Sequence, residues 1–253
     1  MIKIALVGIN GKMGQVICRL LDTNDAAKIV CGIDINPEEK NGVPVYKALG
    51  EAKEEIDVII DFSHPSSLEG TLQYATENKT ALVLATTGFS PEQINAVNDA
   101  SGKTPLFFSA NMSLGVNLLI ELSKKATALL EGSFDIEIIE KHHNQKIDAP
   151  SGTALAIADA INETCNTANE YVYDRHSVRK KRSRNEIGIH SLRGGTIVGE
   201  HSVIFAGTDE IIELKHTATS KEIFAVGAVK AAMFLYGKKA GMYNMGHLIE
   251  GMC

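Results

Sequence analysis

The chain has 253 residues, 44% hydrophobic and 22% charged, a globular balance that can bury a substantial core without disulfide or metal staples. Its formal charge of −6, from 25 basic against 31 acidic residues, argues against general nucleic-acid binding, where basic faces dominate. No run approaches the ~20 apolar residues of a membrane span, and no apolar leader with a small-residue cleavage site opens the chain.

In chain order, short apolar runs at residues 2–7, 28–33, 58–62, 81–86 and 106–108 alternate with helix-like segments at 13–21, 67–78 and 91–100. Strand–helix–strand repetition predicts an α/β fold, a Rossmann-type parallel sheet with helices on both faces. The strands are apolar throughout, as strands covered on both faces are. The pattern changes near Asn111. A helical segment at 116–131 precedes an alternating strand at 134–141, the turn DAPSGT and a helix at 153–163. A polar, basic stretch at 173–183 leads to strand-like runs at 188–193, 199–206 and 210–217, then an alanine-rich helix at 224–236. This predicts a nucleotide-binding domain to about residue 113 and an α+β domain after it, with the last helix able to return to the first domain. Cys18, Cys31, Cys165 and Cys253 form no CxxC pair and no metal-ligand spacing with histidine. They read as free thiols of a cytoplasmic protein, and no metal is expected.

Gly8-Ile9-Asn10-Gly11-Lys12-Met13-Gly14 follows the first strand and opens the first helix. The spacing is G-x-x-G-x-x-G, with Asn10 in the place of the middle glycine of G-x-G-x-x-G; asparagine tolerates positive φ better than most residues. A tight turn, close backbone approach and helix N–H groups facing a pyrophosphate are the physics of dinucleotide binding. Asp34 ends the second strand 20 residues after Gly14, where a carboxylate accepts hydrogen bonds from the adenine ribose. That acid favours NADH, while Lys12 leaves NADPH open. Ala85-Thr86-Thr87-Gly88 and Ser109-Ala110-Asn111-Met112 follow the fourth and fifth runs, and carboxyl ends of parallel strands line the ligand crevice. Ordinary capping chemistry reads these two turns equally well.

The densest chemistry is Glu140-Lys141-His142-His143-Asn144-Gln145-Lys146-Ile147-Asp148-Ala149-Pro150-Ser151-Gly152-Thr153. Ser151, Gly152 and Thr153 open a helix, an anion-binding arrangement. His143 and Lys146 add donors and positive charge, and His142 suits a general acid near neutral pH. Together they fit a substrate carrying carboxylates. Adjacent histidines on a strand point to opposite faces, so His142 and His143 make a poor chelating pair. Ser151 lacks a GxSxG setting and reads more simply as a helix cap. A solvated polar loop without chemistry is the competing reading of the segment. The basic run at 179–184 lacks interleaved aromatics and reads as a solvated loop. His64, His176, His190, His201 and His216 receive no role.

These motifs together resemble the 4-hydroxy-tetrahydrodipicolinate (dihydrodipicolinate) reductase family. GINGKMG, DFSHP, ATTGFS, SANMSLGVN, EKHHNQKIDAPSGTA and the later RGG and VGEH each match a family segment in order, with Ala85 in place of a glycine and Met112 in place of a phenylalanine. The resemblance implies a cofactor domain of 1–113 and 221–253, and a substrate and oligomerisation domain of 114–220 whose mixed sheet builds a homotetramer. It implies NADH and/or NADPH on residues 8–13, Asp34, 85–87 and 109–112, and a cyclic imine dicarboxylate on His143, Lys146, Ser151, Gly152 and Thr153. His142 and Lys146 match the proton donors, with hydride going to ring C4. It places the reaction in lysine and diaminopimelate biosynthesis. A non-catalytic NAD(H) sensor is the alternative. Another is an oxidoreductase acting on an aspartate-derived aldehyde, although no cysteine lies where its nucleophile would be.

Overall fold

The computed structural model describes residues 1–39 and 42–252, so the expectation for Cys253 falls outside the described residues. The chain opens with β1 (Ile2–Val7), α1 (Lys12–Leu21), β2 (Ala27–Ile33), β3 (Val45–Tyr46) and β4 (Val58–Asp61). Next come α2 (Leu68–Asn78), β5 (Ala81–Leu84), α3 (Pro91–Ser101), β6 (Pro105–Phe108) and α4 (Leu114–Leu130). They are followed by β7 (Asp135–His142), α5 (Gly152–Thr164), β8 (Glu170–Val172), β9 (Glu186–Arg193), β10 (Gly199–Ala206) and β11 (Ile211–Ala218). The last elements are α6 (Ile223–Leu235), β12 (Gly241–Tyr243) and α7 (Met245–Glu250). Two compact units result, residues 1–114 with 222–253, and residues 115–221. Among the described residues no helix is long and apolar enough to cross a membrane.

The first unit is built on a seven-stranded sheet in the order β12-β6-β5-β4-β1-β2-β3, parallel throughout. Alternation along each strand divides its side chains between two cores. Ile4, Leu6, Val58, Ile60 and Phe107 join α1 and α6 on one face, through residues such as Ile17, Ala228 and Leu235. Ala5, Val7, Ile59, Leu82 and Leu106 join α2 and α3 on the other, through Leu72, Val97 and others. Double coverage is why these runs read as continuously apolar. The order 3-2-1-4-5-6 within this sheet reverses beside β1, and ligands of such sheets bind outside the carboxyl ends of the strands at that reversal.

The second unit is a mixed five-stranded sheet in the order β11-β10-β7-β9-β8. β7 runs antiparallel to β10 and parallel to β9. Ile136 and Ile138 of β7 pack with Ile187, Ile189, Val203 and Phe205 under the inner face of α5, formed by Ala154, Ile157 and Ile161. Glu140 and His142 continue the same alternation, so they lie on the same face at the carboxyl end of β7. The sheet face that is apolar along most of its length thus becomes polar and titratable beyond Ile138.

Candidate active site

In the first unit the glycine turn is fixed by backbone geometry. Gly8 takes φ +83°, donates its N–H to Ile33 O at 2.8 Å and accepts the Gly11 N–H at 3.0 Å. The left-handed residue is therefore Gly8; Asn10 does not use the tolerance of positive φ expected for it. A Cβ on Gly14 would lie 2.3 Å from Gly8 O and 2.4 Å from Ile9 O, so only glycine lets α1 start this close to β1. The N-terminus of α1 has no side-chain cap and no acid in its first turn, leaving its N–H end suited to an anionic group. Ile9 is fully buried, its side chain in the core and its carbonyl held by Gln15 Nε2, so it shapes the turn from beneath.

Asp34 has a role that spacing did not reveal. Its Oδ2 accepts the Asn10 N–H and its Oδ1 the Asn36 N–H, both at 3.0 Å. Asn10 Nδ2 in turn donates to Asn36 O and Glu38 O. The carboxylate thus ties the glycine turn to the loop after β2, and its remaining lone pairs are what a ribose could use. Lys12 is exposed, and Met13 packs against the α1 core.

At the ends of β4 and β5 sits a buried carboxylate that the sequence reading left without a role. Asp61 accepts from Ser63 N at 2.9 Å, Ser63 Oγ at 2.5 Å and Thr86 Oγ1 at 3.1 Å, with Ser67 and Thr71 hydroxyls at 3.3 Å. Of the turn after β5, Ala85 and Thr86 are buried and Thr87 is exposed. After β6, Ser109 Oγ donates to Asn111 O, and Asn111 Oδ1 accepts the Ser113 N–H. Ala110 is exposed, whereas Met112 is 3% exposed within the core, so its side chain faces hydrophobic neighbours.

In the second unit a polar cluster gathers around Glu140, which is fully buried. His142 Nδ1 lies 2.6 Å from Glu140 Oε2. Arg193 grips both carboxylate oxygens, Nη1 to Oε2 at 2.8 Å and Nη2 to Oε1 at 2.7 Å. The Ser151 N–H donates to Oε1 at 3.1 Å. Burial alone would raise the Glu140 carboxyl, but Arg193, His142 and the surrounding donors outweigh it and hold it down to about 2. Register explains the assembly, because His142 pairs with Arg193 on β9 and Glu140 pairs with His201 on β10. The His201 ring meets that of His142 edge-on, with centroids 5.3 Å apart, and its Nε2 is 3.0 Å from Ser151 Oγ. Burial, with His142 beside it, pushes His201 down to about 4, so it is neutral at physiological pH.

The anion-binding residues follow directly. Ser151 caps α5, its Oγ accepting the Ala154 N–H at 3.1 Å, and α5 has no acid in its first turn. Gly152 is exposed, and Thr153 and His143 are half-buried. Lys146 Nζ is paired with Asp148 Oδ1 at 2.9 Å, so a carboxylate reaching it shares it with Asp148. The basic run is the exposed loop expected of it at Arg179, Lys180, Lys181 and Arg184, with Arg182 the half-buried exception. Arg182 bonds to Glu137, Asp135 and the Ile136 and Glu186 carbonyls, because β7 presents Asp135 and Glu137 on the face away from α5. Among the described residues the cysteines offer no activated nucleophile: burial pushes Cys18 up to about 11 and Cys31 up to about 12, and raises Cys165 as well.

Comparison with known proteins finds one family over nearly the whole length. Residues 2–112 match the family model described as dihydrodipicolinate reductase, N-terminus, and residues 115–249 the one described as dihydrodipicolinate reductase, C-terminus. A 4-hydroxy-tetrahydrodipicolinate reductase of Caldanaerobacter subterraneus is 52% identical over 250 residues, 99% of each chain. That of Clostridium tetani is 51% identical over 250 residues, 99% of this chain and 98% of its own. A solved dipicolinate-bound dihydrodipicolinate reductase from a Paenisporosarcina species shares the fold at a TM-score of 0.80 and 24% identity, covering 96% of this chain and 97% of that one.

Proposed function

Because the chain belongs to the dihydrodipicolinate reductase family, whose members are NAD(P)H-dependent oxidoreductases of lysine and diaminopimelate biosynthesis, we propose that it reduces 4-hydroxy-tetrahydrodipicolinate to tetrahydrodipicolinate with loss of water. The observation that carries this reading is identity near one half across 99% of the chain to reductases of that name. A nicotinamide cofactor held in the first unit would supply the hydride for ring C4. Gly8, Asn10, Gly11, Lys12 and Met13, with Ile9 beneath them, hold its pyrophosphate at the start of α1, and Asp34 its adenine ribose. Ala85, Thr86, Thr87, Ser109, Ala110, Asn111 and Met112 line the rest of the cofactor site, Met112 by its backbone.

In the second unit the start of α5 at Ser151, Gly152 and Thr153, open to solvent at Gly152, takes a substrate carboxylate, helped by His143 and Lys146. Conjugation with the ring C=N carries the charge that develops on reduction onto nitrogen and the carbon next to C4. Lys146 and the α5 amides favour that charge, and His142 and Lys146 deliver the balancing proton. The enzyme works in the cytoplasm, a setting that suits the free thiols of Cys18, Cys31 and Cys165.

The test is loss of absorbance at 340 nm with freshly generated substrate. Oxidation of NADH or NADPH that depends on substrate is expected, and cofactor binding without oxidation would sink the reductase reading in favour of a sensor. Asp34→Ala is expected to weaken both cofactors, because the glycine turn loses its tie, and NADH more than NADPH, because a negative charge beside the 2′-phosphate is removed. Equal losses in kcat/KM for the two cofactors would remove Asp34 from the ribose site.

The homotetramer is part of the same proposal. The sheet face opposite α5 carries Leu192 at 47% and Ile211 at 70% exposure, apolar surface that other copies would cover. Light scattering is expected to give four times the 27.2 kDa chain mass, and a monomer mass would refute it.

A further inference from the structure

The polar cluster around Glu140 has more order than binding a substrate carboxylate requires. Glu140 carries no exposed surface, yet it accepts four hydrogen bonds from three different elements: one from His142, two from Arg193 and one from Ser151 N. The Arg193 fork occupies both oxygens from one side, the planar two-point pairing that fixes a carboxylate's orientation. What remains on each oxygen points to a different client, Oε2 to the His142 imidazole and Oε1 to the amide that opens α5.

We propose that Glu140 is the positioning residue of the reductase site, holding the His142 proton on Nδ1 so that Nε2 is the nitrogen that exchanges a proton with the substrate, and registering that imidazole against the start of α5. The inference rests on the reading of His142 as a proton donor.

Three observations support it. A carboxylate can only accept, so the 2.6 Å contact makes Nδ1 the donor in both charge states of the ring. His142 Nε2 is flanked by Gly199, where even a Cβ would come within 3.2 Å, so the nitrogen left for chemistry faces the position with the smallest possible residue. The ring face is braced by His201, whose own Nε2 contacts Ser151 Oγ. Imidazole and helix start are thereby held twice, through Glu140 to the Ser151 backbone and through His201 to the Ser151 side chain. Arg193 keeps Glu140 ionised, so the carboxylate orients the imidazole without taking its proton, the division of labour known for a buried acid behind a catalytic histidine. Lys146, Asp148 and His216 are the other titratable groups of this region, and none of them is hydrogen-bonded to the His142 ring among the described contacts.

The test is ¹⁵N NMR of histidine-labelled full-length protein above neutral pH, together with steady-state kinetics. The wild-type protein should show His142 protonated at Nδ1. Glu140→Gln places an amide among three donors and should move the tautomer towards Nε2–H, with kcat falling about 10²–10⁴-fold, the range for a lost general acid. NADH affinity should not change. Glu140→Asp keeps the charge and loses one methylene of reach; it should retain Nδ1–H and recover part of kcat. A wild-type His142 protonated at Nε2, or a Glu140→Gln enzyme with wild-type kcat, would overturn the proposal. The wild-type measurement decides even where the variant does not fold. Absence of turnover in the wild-type enzyme sinks the reductase reading instead, and the tautomer still decides for or against Glu140.

Discussion

His142→Gln is expected to lower kcat by about 10²–10⁴-fold while NADH affinity stays within experimental error. The residue stands at the end of β7 with one ring nitrogen committed to Glu140, so substitution removes a proton donor and leaves a packed polar site largely in place. Glutamine approximates the reach of the imidazole but cannot carry a titratable proton. Because the cofactor turn belongs to the first unit and His142 to the second, the loss should fall on kcat and kcat/KM equally, as when an interaction made only in the transition state is removed. Lys146→Ala should behave differently. Its ammonium is paired with Asp148, so part of its charge is already balanced, and a carboxylate substrate must compete for it. Both kcat and KM are expected to worsen. Steady-state kinetics against substrate at saturating NADH, with NADH titrated separately by fluorescence, separates the two. Wild-type turnover by both variants would remove both residues from the chemistry.

The sequence made the first sheet legible because each strand is buried on both faces and each βα unit repeats the same apolar pattern. Strands β3, β8 and β12 passed unnoticed because two or three residues carry no period, and they add edge pairing without a core of their own. The candidate site divides in the same way. His142, Lys146 and Ser151 lie within one segment, and the change from strand to turn to helix could be read from spacing. Glu140 was within reach too, since a two-residue offset on a strand puts it on the same face as His142. Arg193 and His201 were not. They reach Glu140 and Ser151 across 53 and 50 positions, and only the register of β9 and β10 against β7 brings them there. Asp34 shows the limit of a motif. Its distance from the glycine turn suggested a ligand contact, while its geometry shows that it first holds the turn itself.

Gly14→Ala tests how much the cofactor turn depends on close approach. The new methyl would lie 2.3 and 2.4 Å from two backbone carbonyl oxygens, neither of which can swing aside as a side chain does. Gly8 O is held by the Gly11 N–H, and Ile9 O accepts Gln15 Nε2 at 3.0 Å, so the methyl must push α1 away from β1 and break the turn's own hydrogen bonds. Overpacking of this kind costs roughly 1–3 kcal/mol or more. NADH binding should weaken by at least about tenfold, because the amides at the start of α1 move with the helix. Gly70→Ala is the matched control. It lies inside α2 with nothing within 4 Å of the new methyl, and replacing a helical glycine there should stabilise by roughly 0.5–1 kcal/mol with unchanged NADH affinity. Thermal melting and NADH titration of the two variants separate a local steric effect from a general intolerance of alanine. If Gly14→Ala bound NADH as the wild-type protein does, the start of α1 would not be where the pyrophosphate sits, and the cofactor assignment of residues 8–13 would fall with it.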